Sequence, residues 1–202
     1  MRRLLWVSVI LAVAAAAVRP ASASLLLGRD TVIVWEMTTK KSTYEFVVRL
    51  ARFRPDRYFE WENPSSQGTV NLAERAIEMG DRYIISSLFD VGVDVESRNS
   101  TTLWLSRKVF NQIKDNGSAR VYLNGLKNEF QKLAEEDYTL AVNRLSSPAR
   151  ALKIKDDRNN EWRFLDDADN PILLEYKTEH FHQKIKSVTT DRKNTLRWIK
   201  VR

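Results

Sequence analysis

Apolar residues recur at every second position over residues 44–53, and that period organises the N-terminal third of the chain. Tyr44, Phe46, Val48 and Leu50 fall on one face, against Glu45, Val47, Arg49 and Ala51 on the other. This is the alternation of a half-buried strand. Val32-Ile33-Val34-Trp35 precedes it as a strand, and Arg54-Pro55-Asp56 turns the chain. Arg57–Glu62 returns with Tyr58, Phe59 and Trp61, and Asn63-Pro64-Ser65-Ser66-Gln67-Gly68 closes it as a loop. Three antiparallel strands joined by short turns follow. Thr69–Met79 fits a strand or a helix, since Leu72, Ala76 and Ile77 also permit a helical face, and the run Arg82–Phe89 is too short for its period to decide.

Helical spacing takes over in the middle. Leu105, Val109 and Ile113 recur every fourth residue, Phe110 widens the stripe, and Gly117 follows as a stop, so a helix is predicted over Thr102–Asn116. Leu126, Phe130 and Leu133 suggest a second helix over Leu126–Glu136. From Tyr138 the chain reads as a meander. Strands are predicted at Tyr138–Leu145, Ala151–Lys155, Glu161–Leu165, Ile172–Lys177, Phe181–Val188 and Thr195–Val201. Ser146-Ser147-Pro148 reads as a break, and turns are expected at Asp156–Asn160 and Asp166–Pro171.

The opening of the chain has a different pattern. Arg2 and Arg3 precede an unbroken apolar run from Leu4 to Val18, and Ala21-Ser22-Ala23 supplies small residues after it. That order predicts a secretory signal peptide over residues 1–23, cleaved after Ala23, and hence a periplasmic or secreted protein. The run is shorter than the roughly 20 residues that span a bilayer, so no membrane span is expected after cleavage. Residues 24–202 are then one β-rich domain, long enough to bury a core without covalent staples. They have to be, because the chain contains no cysteine.

The same segment changes the reading of charge. The full chain carries +7, from 33 Lys and Arg against 26 Asp and Glu, and three of those arginines lie within residues 1–23. Without them the charge is +4, and the remaining basic residues are interleaved with acids. A nucleic-acid partner is not expected, since that function concentrates basic residues with stacking aromatics.

One stretch resembles a known group. Trp162-Arg163-Phe164-Leu165-Asp166-Asp167-Ala168-Asp169-Asn170-Pro171-Ile172-Leu173-Leu174 is similar to a strand–turn–strand motif of uncharacterised exported bacterial β-domains, some of them attached to OmpA-like peptidoglycan-binding modules. Leu103-Trp104-Leu105-Ser106-Arg107-Lys108-Val109-Phe110 resembles the start of their central helix. The resemblance covers about half of residues 24–202 and includes no catalytic motif. It implies an envelope setting and a twisted, partly closed sheet wrapped around a helix, as in periplasmic lipoprotein carriers. It implies no activity.

The residues themselves point to no reaction. The two histidines, His180 and His182, alternate onto one strand face with Lys184 and Lys186, opposite Phe181, Gln183 and Ile185. Paired imidazoles can ligate zinc, yet no third ligand accompanies them and the lysines oppose a cation. Asp166, Asp167, Asp169 and Asn170 suit a turn, with calcium as the open alternative. Nucleophile-elbow, phosphate-loop, zinc-protease and dinucleotide patterns are all absent from the sequence. No catalytic, cofactor-binding or metal-ligating set is therefore expected.

The expectation is an α+β, β-dominated fold: a curved, half-barrel-like antiparallel sheet with one or two helices on its concave face. A non-enzymatic domain binding an apolar small molecule or lipid is the leading function. Its pocket would lie between sheet and helix, lined by Trp104, Val109, Phe110, Trp162 and Phe164. The alternatives are a structural or protein-interaction module of the envelope, with an envelope protein as partner, and a hydrolase using Asp166 and Asp167.

Overall fold

A computed structural model describes residues 25, 27–85, 89 and 95–190. Residues 1–23, expected to be a signal peptide, and the strand expected at Thr195–Val201 lie outside the described residues. Four antiparallel strands open the fold: β1 (Val32–Thr39), β2 (Thr43–Arg52), β3 (Arg57–Glu62) and β4 (Gln67–Leu72). The alternation in β2 is real: Phe46, Val48 and Leu50 are buried, while Glu45 faces solvent. Helix α1 (Glu74–Met79) follows directly, so the ambiguous 69–79 stretch is a strand and then a helix. Three short strands come next: β5 (Arg82–Tyr83), β6 (Val95–Ser97) and β7 (Ser100–Thr101).

Helix α2 spans Arg107–Asn116, starting five residues later than its hydrophobic period suggests. Capping is the reason. Ser106 accepts the Val109 N–H at 3.2 Å, which satisfies one of the free N–H groups of a first turn. Ahead of it, Leu103 has φ +59°, the Leu103 carbonyl accepts from Leu173 N–H and Leu105 N–H donates to the Pro171 carbonyl, so 102–105 is held as a bend against Pro171 and Leu173 and cannot join the helix. Gly117 ends the helix with φ +78° and returns its N–H to the Ile113 carbonyl.

The rest is strand: β8 (Ser118–Leu123), β9 (Leu126–Val142), β10 (Leu145–Lys155), β11 (Glu161–Leu165), β12 (Leu173–Lys177) and β13 (Phe181–Thr189). Two expectations are overturned here. Leu126–Glu136 is not helical, because β9 pairs with β8 over its first part and with β10 over the remainder. Of the three residues that suggested the helix only Phe130 is buried, and Leu126 and Leu133 are exposed. Pro148 is no break either: it sits in β10 opposite Thr139, in a half of that strand that pairs with β9 alone. A residue without an N–H is tolerated where one strand edge is free.

Among the described residues thirteen strands form one sheet, in the order β6-β4-β3-β2-β1-β13-β12-β11-β10-β9-β8-β5-β7. β13 is inserted between β1 and β12, antiparallel to both. It also meets β9 through Val188 and Val142, so β9–β13 curl round until their ends touch. The curled part is buried on both faces. One side packs Ala149, Ala151, Leu165, Leu174 and Val188 against Trp35, Phe46, Phe59 and Trp61 of the N-terminal strands. The other packs Leu152, Ile154, Trp162 and Phe164 against Val109, Phe110 and Ile113 of α2. Among the described residues no helix is long and apolar enough to cross a membrane.

Candidate functional site

Four of the five residues expected to line an apolar pocket do come together. Val109, Phe110, Trp162 and Phe164 share the core beneath α2, whereas Trp104 belongs to the core on the opposite face. All five are buried in close packing. Trp162 stacks on Tyr176 at 3.8 Å between ring centres and on Phe164 at 6.1 Å. These rings fill the space between sheet and helix.

An open cleft of about 850 Å³ lies elsewhere, on the side of the N-terminal strands. Leu25, Leu27 and Arg29 reach it from the segment before β1, and Ala51, Arg52, Phe53 and Arg54 from the end of β2 and its turn. Tyr58 of β3 completes that wall, and Asp167, Asp169 and Asn170 of the β11–β12 turn stand across from it. The volume is within the range of small-molecule sites.

The acidic turn is held by the rest of the molecule. Asn170 Oδ1 accepts from the Trp104 indole at 3.0 Å, and its Nδ2 donates to the Leu25 carbonyl at 3.3 Å. Asp169 takes Arg107 at 2.7 Å and Arg54 at 3.4 Å through its carboxylate. Its backbone carbonyl accepts from Arg57 at 2.9 Å. Asp167 Oδ1 accepts the Asp169 N–H at 2.9 Å, the local bond expected of an Asp turn. Asp166 points away, to Lys114 at 2.7 Å. Asp166 and Asp167 thus do not form a facing pair, and among the described residues no three His, Asp or Glu side chains converge as a metal site would require.

Arg57 is the residue that the sequence pattern hid. It is 3% exposed, under the cleft wall. Its guanidinium lies 4.9 Å from the Phe53 ring centre and 5.1 Å from that of Trp104, a cation between two aromatic faces. Nε and Nη1 have no hydrogen-bond partner among the described residues. Burial, then repulsion from Arg54, pulls its pKa down to about 9, so it stays charged at neutral pH. The clue was its phase: Arg57 alternates inward with Phe59 and Trp61.

No family profile, curated protein or solved structure matches this chain. The reading of the cleft therefore rests on its own chemistry. Its lining joins leucines and aromatic rings to exposed arginines: the side chains of Arg29, Arg52 and Arg54 are 76%, 50% and 65% exposed. Arg52 is matched by Asp56, whose carboxyl it holds below the usual range.

Two further polar clusters are built from ion pairs and hydrogen bonds. Glu135 receives Lys114 at 2.6 Å, Lys132 at 2.8 Å and Arg150 at 3.0 Å. His182 meets Glu175 at 2.7 Å, and Arg163 bridges Glu175 and Glu136. His182 on this strand face is thus hydrogen-bonded across to β12, with Gln183 and Ile185 buried behind it as the alternation predicts.

Proposed function

We propose that this chain is an exported, non-enzymatic binding domain of the cell envelope whose cleft holds an amphipathic small molecule or lipid. The observation that carries this reading is the composition of the cleft. Leu25, Leu27, Phe53 and Tyr58 offer apolar surface to a hydrocarbon body, and arginines stand where an acidic end would meet water. Burying a chain of methylenes there supplies about 0.8 kcal/mol for each CH₂ fully covered. Export is supported by the pattern of residues 1–23, and the envelope setting by the resemblance of the Trp162–Leu174 strand–turn–strand. The non-enzymatic reading rests on the paired state of the carboxylates near the cleft.

The test is displacement of a fluorescent apolar probe, N-phenylnaphthylamine, from the purified protein by dodecanol. Saturable binding is expected, with Ala51→Trp, which places a ring in the cleft, weakening it about tenfold or more. An absence of saturable binding, or full affinity in Ala51→Trp, overturns the reading.

A further inference from the structure

We infer that Arg57 is the specificity-determining residue of the cleft, selecting amphiphiles with an anionic head, and that the Phe53 ring is the gate through which the head reaches it. This rests on the cleft being the binding site. The first ground is pairing. Arg52 has Asp56, Arg54 has Asp169, and Arg107 has Asp169 and Glu78. Arg57, the most buried of these cations, has one backbone carbonyl and no carboxylate bonded to it. A buried guanidinium with free donors is costly unless something acidic meets it.

The second ground is position. Phe53, half-buried just past the end of β2, both lines the cleft and covers the Arg57 guanidinium. Rotation of this one side chain opens the guanidinium to the cleft while Trp104 continues to stack on its other side. The third ground is competition. The Asp169 carboxylate is engaged by Arg54 and Arg107, and Asp167 by the turn's own N–H, which leaves the free donors of Arg57 to an incoming oxygen. A carboxylate and a phosphate share the required chemistry: oxygens that accept from N–H groups and carry negative charge.

Dodecanoate, dodecyl phosphate and dodecanol share one chain and differ in head group. The wild-type protein is expected to bind at least one of the two acids about tenfold more tightly than dodecanol, the scale of one hydrogen bond to a charged group. Which acid wins distinguishes a carboxylate from a phosphate ligand. Arg57→Met should erase the acid preference, read as the ratio of acid to dodecanol affinity within each variant, Arg57→Lys should retain part of it, and Arg54→Met should retain most of it. Equal binding of all three ligands by the wild-type protein overturns the inference without any variant, as does an undiminished acid preference in Arg57→Met. If dodecanol also fails to bind, the cleft reading has failed and this inference falls with it.

Discussion

Single residues show how much of this molecule is specified by side-chain chemistry. Trp162 is wholly buried, in contact with Tyr176, Phe164, Phe130 and Tyr83. Trp162→Ala is expected to cost about 3–5 kcal/mol, read as a lower urea midpoint. Ser106→Ala removes the cap of α2 and should cost about 1 kcal/mol by the same measurement. Glu135 gives a pH signature. Hydrogen bonds from Lys114 and then Lys132 hold its carboxyl down to about 2, from an ordinary 4.5. A depressed carboxylate stabilises the fold fully above its unfolded value, and that contribution is lost as pH falls from about 4.5 towards 2. The stability gap between wild type and Glu135→Gln should therefore be widest near neutrality and close by pH 2, followed as urea midpoints across pH. A gap that does not change with pH would mean the ion pairs contribute nothing.

At the scale of elements, local pattern succeeded where burial was one-sided and failed where distant partners decided. β2 and β3 match their predicted bounds within a residue, because each alternates between core and exterior. β9 does not. Its Leu126, Phe130 and Leu133 satisfy a helical period by coincidence, and pairing with β8 and β10 decides the outcome. Propensity is a weak prior beside such long-range pairing. The cleft was illegible for the same reason: its walls come from the segment before β1, the β2–β3 hairpin and the β11–β12 turn, which no local period links. Among the described residues, the half of β10 that pairs only with β9 presents a free edge, with Leu145 70% exposed three residues before Pro148. Proline at such an edge limits pairing with other chains. Pro148→Val is expected to leave the fold intact and increase self-association, visible as earlier elution in size-exclusion chromatography.

For the whole molecule, the governing feature is the insertion of β13 between β1 and β12. Val32 faces Thr189 and Thr39 faces Phe181, so the first strand of the fold finds its second neighbour only near the end of the described chain. Translated into folding, this is a high contact order: loop closure must precede the pairing that compensates for it, which places such topologies in the range of ~milliseconds to seconds. Synthesis adds a second delay. A growing chain cannot close its sheet until residue 189 has emerged, however long the N-terminal hairpins have been available. On the proposed reading of residues 1–23 as an export signal, that delay leaves the chain open and threadable while an export channel captures it.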